Sequence, residues 1–256
     1  MKMKGIEDAI KYLEEINSVQ FSTKMPRFSV FRALMNITMP LHLSSEYYEV
    51  QDEILKLHNT QRGIQDIEKF KPIKNNIILF QGDITTIKAD AIVNACNEKL
   101  LGCFQPLHSC IDNAIHSFAG LQVRRDLMEI MKAQGYDEGN GKCKVTKGYN
   151  LPSTFIFHTV GPKTFGIIKE KDKEDLKNCY LSCLAQADEL QLKSIVFCSI
   201  ATGLYGFPIE IASKIAVTTV KKYLEEHKSS IQKVMFNVFS EGDYDVYYRR
   251  ITEANN

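Results

Sequence analysis

From Asn76 onward the chain repeats one pattern: a short β-branched or aromatic run, a polar or glycine-containing break, then a longer amphipathic stretch. The runs are Ile77 to Phe80, Ala91 to Asn94, Thr154 to Thr159, Ile195 to Ile200 and Val234 to Phe239, and the clearest helical stretches are Leu176 to Leu190 and Pro208 to Glu226. In the second of these, Ala212, Ile215, Ala216, Thr219, Val220 and Tyr223 share one side at helical spacing. Strands separated by helices of this length need crossover connections, so the pattern predicts an α/β fold with a largely parallel sheet covered on both faces. Such sheets take ligands in the crevice beyond the carboxyl ends of their strands, which is where chemistry should be sought.

The N-terminal part reads differently. Ile6, Ala9, Ile10, Leu13 and Ile16 recur at helical spacing, Phe28 to Ile37 and Tyr47 to Leu57 offer further apolar stripes, and Pro40 with Ser44-Ser45-Glu46 punctuates them as a break and a helix start. The expectation is an N-terminal helical extension over 1–72, packed against a main domain over 73–256. Apolar residues make up 44% of the chain, enough for a substantial core, and the 32 basic residues nearly cancel the 31 acidic ones. Without a strongly positive field, neither nucleic acid nor an anionic membrane is an expected partner. No apolar run is long enough to span a bilayer, Met1 to Ile10 lacks the order of a secretory signal, and the seven cysteines form no disulfide framework. A cytoplasmic protein with reduced thiols is expected.

Three strand exits carry residues that periodicity does not require. Gln81-Gly82-Asp83-Ile84-Thr85 follows the first run, and an aspartate there can accept a hydrogen bond from an exocyclic amine, or simply close a turn. Asn94 and Asn97 stand just past the second run, where paired amides can read vicinal hydroxyls without adding charge. Ser199-Ile200-Ala201-Thr202-Gly203-Leu204-Tyr205-Gly206-Phe207 precedes the helix at Pro208, so its backbone amides can be aimed at a diphosphate with help from the helix dipole. It lacks the lysine-serine ending of a Walker loop. A nicotinamide oxidoreductase is argued against, because no Gly-x-Gly-x-x-Gly follows the first strand of this region.

Taken together these residues resemble the macrodomain family. Gly82-Asp83-Ile84-Thr85 through Asp90-Ala91-Ile92-Val93-Asn94-Ala95 and Asn97 is similar to its opening signature, Asp112-Asn113-Ala114-Ile115-His116 to its second, and Ala201-Thr202-Gly203 with Tyr205-Gly206 to its phosphate loop. The resemblance implies a three-layer α/β/α sandwich with a mixed, largely parallel sheet. It implies ADP-ribose as ligand, held by Asp83 at the adenine, Asn97 at the distal ribose, and Ser199, Ala201, Thr202, Gly203, Leu204, Tyr205, Gly206 and Phe207 around the diphosphate, with Ile84 among the contacts. Phe239 stands where the family often stacks an aromatic ring on adenine; a core phenylalanine is its plainer reading.

One stretch departs from the usual pattern. The glycine-rich segment before Asp112 is replaced by Gly102-Cys103-Phe104-Gln105-Pro106-Leu107-His108-Ser109-Cys110-Ile111, which resembles the zinc-dependent macrodomain subfamily. Cys103, His108 and Cys110 suit Zn²⁺ in softness and geometry and leave one coordination position open. Cys96 or His116 could close it. The implied activity is a zinc-dependent hydrolase removing mono-ADP-ribose from acidic side chains of a protein, with Asn94 positioning the distal ribose and Asp112 orienting water or a ligand. Asp112 could equally be a helix N-cap. The extension, notably Arg32-Ala33-Leu34-Met35-Asn36-Ile37 and Tyr48 to Leu57, also resembles that subfamily, which implies a lipoylated glycine-cleavage-H-like carrier protein as the modified partner. A reader module with a structural zinc and a deacetylase acting on O-acetyl-ADP-ribose stay open as alternatives. His42, His58 and His227 are expected at surfaces or in cap contacts, and His158 inside its strand.

Overall fold

The computed structural model of the chain describes residues 3–22, 24–165 and 167–253. Three helices come first, α1 (Gly5–Asn17), α2 (Arg27–Ile37) and α3 (Ser45–Gln61), followed by β1 (Gln65–Asp66), β2 (Ile77–Gln81), β3 (Ile87–Lys88) and β4 (Ala91–Cys96). Then come α4 (Ile111–Ala119), α5 (Leu121–Gln134), β5 (Cys143–Lys147), β6 (Phe155–Val160), α6 (Glu170–Glu189), β7 (Ser194–Cys198), α7 (Ile209–Glu226), β8 (Lys233–Val238) and α8 (Glu241–Thr252).

The main sheet has the order β2-β8-β7-β4-β6-β5, parallel throughout except for β5, which runs antiparallel to β6 at one edge. Every residue of Ser194–Cys198 is buried, as a strand covered on both faces requires. On the flanks α4 packs on β4 and against α5, while α6 lies on α7 and α7 on α8. The expected α/β/α sandwich with its mixed, mostly parallel sheet is therefore the fold observed. Among the described residues no helix is long and apolar enough to cross a membrane.

The helices of the extension have local causes. Ser44 caps α3 by accepting the Tyr47 N–H at 3.1 Å, as the serine-rich start signal predicts. Along α1 the buried residues are Ala9, Ile10 and Leu13, which meet Val30, Phe31 and Leu34 of α2 and Tyr47, Val50 and Leu55 of α3 in one apolar cluster. Leu121 of α5 closes that cluster, so the extension sits directly on the main domain. The short parallel pair β1–β3 straddles the expected boundary: Gln65 and Asp66 pair with Ile87 and Lys88.

Candidate functional site

The parallel strands β2, β4, β6, β7 and β8 deliver their carboxyl ends to one edge of the sheet, and the loops leaving that edge carry the residues singled out above. Past β2, Asp83 caps a 3₁₀ turn: Oδ1 accepts from the Thr85 N–H at 2.8 Å and its hydroxyl at 2.6 Å. Its Oδ2 receives the guanidinium of Arg62, just beyond α3, which also lies 3.7 Å over the Phe118 ring. Asp83 thus closes a turn and remains partly open to solvent. Ile84 turns its side chain into the core.

Asn94 corrects one expectation. β4 runs on to Cys96, so Asn94 lies inside the strand rather than past it, and its side chain is wholly buried. Its amide donates to Asp112 Oδ1 at 2.8 Å and stands 3.2 Å from His158 Nδ1. Asn97 does lie past the strand, donating to the Gly102 carbonyl at 3.0 Å and accepting the Lys99 N–H at 3.0 Å, which shapes the start of the next loop.

The loop after β7 is held by its own backbone. Phe207 N–H donates to the Ala201 carbonyl and Gly206 N–H to that of Gly203, each at 3.0 Å. Thr202 Oγ1 caps the Ser199 carbonyl, and Thr164 donates both its N–H and its hydroxyl to the Tyr205 carbonyl. Phe207 anchors the turn in the core while Leu204 is 72% exposed. Tyr205 reaches the Cys96 carbonyl with its hydroxyl, so this loop meets the end of β4, the strand from which the cysteine loop departs. Phe239, at the end of β8, is 84% exposed, which removes the reading of a core phenylalanine.

Between β4 and α4 the chain is forced through unusual backbone. Leu100, Phe104 and Leu107 all hold positive φ, at 62°, 52° and 56°, a conformation that costs an L-residue roughly 1–2 kcal/mol. The result of that cost is convergence. One ligand atom each from Cys103, His108 and Cys110 lies within 4.8 Å of the other two, with Cys103 Sγ 3.9 Å from His108 Nδ1. Tetrahedral zinc with ordinary Zn–S and Zn–N bonds sets neighbouring donors about 3.5 to 3.8 Å apart, so the donor set fits such an ion in chemistry, and its atoms, slightly farther apart than that, would draw together on binding. Burial pushes the Cys110 thiol up to about 12, so binding a cation there would displace a proton.

Neither candidate for a fourth ligand joins this group among the described residues. Cys96 donates its thiol to the Thr159 carbonyl, and His116 faces Asp112, its Nε2 3.4 Å from Oδ1. The N-cap role considered for Asp112 falls to Cys110, whose sulfur accepts the Asn113 N–H at 3.4 Å; Asp112 sits inside the first turn of α4 and is buried. Burial raises its carboxyl to about 6 against the lowering effect of the Asn94 amide and the Arg124 charge. Its Oδ2, both ring nitrogens of His116 and the Asn94 Oδ1 have no hydrogen-bond partner among the described residues. A carboxylate oxygen left free beside the cysteine loop is an acceptor for water or a substrate hydroxyl.

Sequence reasoning missed several residues of this neighbourhood. Arg124, only 2% exposed, sits on a helix whose charged pattern reads as a solvent face, yet its Nη2 would clash at 2.9 Å with a Cβ on Gly102. Arg32, Asn113 and Ser117 form a hydrogen-bonded set against the cysteine loop, and Phe28, His58 and Phe118 stack beneath Arg62, with Phe28 and His58 ring centroids 3.5 Å apart. The N-terminal stripes were the available signal, since they required the extension to cover something.

Comparison with known proteins bears on all of this. The family model described as Macro domain matches residues 93–216. A protein-ADP-ribose hydrolase of Staphylococcus aureus (strain MRSA252) is 50% identical over 222 residues, covering 86% of this chain and 83% of that protein. Among solved structures, a variant of the Oceanobacillus iheyensis macrodomain with ADPR is 36% identical at a TM-score of 0.63, covering 71% of this chain and 95% of the other. The Trypanosoma brucei macrodomain in complex with ADP-ribose is 30% identical at 0.64, covering 85% and 94%.

Proposed function

The chain belongs to the macrodomain family, and from that premise we propose that it is a zinc-dependent hydrolase that removes mono-ADP-ribose from acidic side chains of a protein. Its named relative at 50% identity, a protein-ADP-ribose hydrolase, supports the reaction class. The observation that carries the zinc dependence is the convergence of Cys103, His108 and Cys110 without a fourth donor among the described residues, in the loop that leaves β4 where Tyr205 reaches it. Structural zinc closes its shell with protein; three ligands are the signature of a catalytic ion. When bound, zinc supplies a Lewis acid at this edge.

The remaining work belongs to the chain. Asp83 accepts the adenine amine and Phe239 lies against the ring, while Ile84 supports the turn from the core. Ser199 to Phe207 wraps the diphosphate with backbone amides, next to the N-terminal end of α7. Asn97 faces the distal ribose. Asp112, its carboxyl near 6 and Oδ2 free, holds the hydroxyl of a water or the ribose, and Asn94 holds Asp112 rather than the sugar. The partner is a mono-ADP-ribosylated protein of the cytoplasm, and the earlier resemblance makes a lipoylated carrier the first substrate to try.

The test is to measure release of ADP-ribose from a modified acidic carrier by wild type, by protein stripped of metal, and by Cys103→Ala. The expected outcome is loss of turnover by a factor of at least about 100 with ADP-ribose binding retained in both altered forms, since catalysis and nucleotide binding use different residues. Full turnover without metal would refute the role of the ion. Binding without turnover in wild type would make the protein a reader, and activity confined to O-acetyl-ADP-ribose would make it a deacetylase.

A further inference from the structure

Both sulfurs of the metal cluster accept hydrogen bonds from one residue. The Asn113 amide donates to Cys103 Sγ at 3.4 Å, and its backbone N–H donates to Cys110 Sγ at the same distance. The orientation of that carboxamide is fixed by what surrounds it. On one side stands the Arg32 guanidinium, a donor only, whose Nη2 lies 2.9 Å from Asn113 Oδ1; on the other stands the Gln105 carbonyl, an acceptor only, 2.9 Å from Nδ2. Reversing the amide would set donor against donor and acceptor against acceptor, so Nδ2 must face the Cys103 sulfur.

Arg32 comes from α2, in the N-terminal extension, and is itself held. Its Nε donates to Ser117 Oγ at 3.0 Å; the same oxygen accepts from Asn36 Nδ2 at 2.8 Å and donates to the Asn113 carbonyl at 2.7 Å. Asn36 also accepts the Leu107 N–H at 2.9 Å, directly before His108. Two residues of one extension helix therefore grip the ligand loop and the helix that follows it. Among the described residues Arg32 makes no ion pair with a carboxylate, although it is half-buried.

We propose that Arg32, acting through Asn113, is a positioning residue for the metal: it locks the carboxamide that orients the two sulfurs, so the N-terminal extension builds the outer layer of the metal site. The inference rests on the zinc reading given above. Hydrogen bonds to coordinating sulfur fix its direction and moderate its charge, and partners of this kind affect metal affinity about 10–100-fold when removed.

The experiment titrates zinc against a chelator and records the cobalt(II) spectrum of full-length wild type, Arg32→Met, Arg32→Lys and Asn113→Asp. Arg32→Met and Asn113→Asp are expected to bind zinc about 10–100-fold more weakly and to shift the sulfur-to-cobalt charge-transfer band, with Arg32→Lys intermediate. A purely structural role for Arg32 would lower the melting temperature without moving that band. Should Arg32→Met fail to fold, Asn113→Asp and Arg32→Lys carry the decision. Unchanged affinity and spectrum in the folded variants overturn this inference and leave the zinc reading standing; wild type that binds neither metal overturns both.

Discussion

His158 shows how a buried neutral side chain ties this core to pH. Its Nε2 lies 2.9 Å from the Thr146 hydroxyl and its Nδ1 faces the Asn94 amide, a donor, so the ring proton sits on Nε2 and a second proton has no acceptor to meet. Burial takes its pKa from 6.5 down to about 3. Above the unfolded value neither state holds the extra proton; as pH falls through it, the unfolded chain binds a proton that the folded chain refuses until about 3. Stability therefore declines on acidification by about 1.4 kcal/mol per pH unit for each such histidine. His116, also held well below its ordinary value by burial, adds to the same decline. Asp112 opposes it, because a carboxyl raised from 3.8 to about 6 binds its proton in the folded state first, and gains stability as pH falls across that interval. Two histidines against one aspartate leave a net loss. Urea unfolding of metal-free His158→Gln between about pH 6 and 4 should give a slope shallower than wild type by about 1.4 kcal/mol per unit. Equal slopes would show that His158 titrates in the folded protein.

The elements that sequence made legible are those whose burial is written in local pattern. Ala91–Cys96 and Ser194–Cys198 are apolar runs because a central parallel strand is covered on both faces. Cys143–Lys147 escaped notice because it is an edge strand, Cys-Lys-Val-Thr-Lys, and the lysines that discourage pairing with another chain also erase the apolar signal. The helix Glu241–Thr252 is not among the predicted helical stretches, because it buries only Val246, Tyr247 and Ile251, too sparse an apolar stripe to stand out behind the Ser240 cap and its acidic first turn. Donor residues of the cysteine loop could be found from composition, but their supports could not, because a hydrogen bond between α2 and α4 has no signature in either helix alone. Arg124 on α5 is the sharpest case. It donates to Leu101 in the cysteine loop and to Met35, Asn36 and Thr38 at the end of α2, so four carbonyls at a helix end and in a strained loop share one cation. Burial brings its pKa down to about 10, which keeps it charged at neutral pH. Arg124→Met removes every donor at once and should cost about 3–5 kcal/mol in denaturant unfolding, with Arg124→Lys recovering a part. A cost under about 1 kcal/mol would mean that water replaces the guanidinium and the α2 end is not sealed by it.

At the scale of the whole molecule the question is whether extension and sandwich unfold as one body. A chain of 256 residues exceeds the size for which two-state behaviour is routine, so the default is separate transitions. The contacts argue otherwise. Beyond the apolar cluster shared with Leu121, the boundary is crossed by buried polar bonds: Gln51 donates to Gln122 at 2.6 Å and accepts the Leu121 N–H at 2.9 Å, and Asn59 donates to the Phe118 and Asn150 carbonyls. Asp52 accepts from Gln122 and Asn150, each at 2.7 Å. Peeling the extension away would exchange every one of these bonds, and those of Arg124, for hydration, at a net cost of about 0.5–1.5 kcal/mol each. Those losses accumulate at the interface alone, whereas the three helices have one small cluster with which to stay folded once detached. Calorimetry of the metal-free protein should therefore show a single transition whose calorimetric and van't Hoff enthalpies agree, coincident with loss of tertiary signal from the cysteine loop. Two resolved transitions, the first leaving the sandwich intact, would show the extension to be a separable cap, and the cysteine loop would then have to hold its shape without α2.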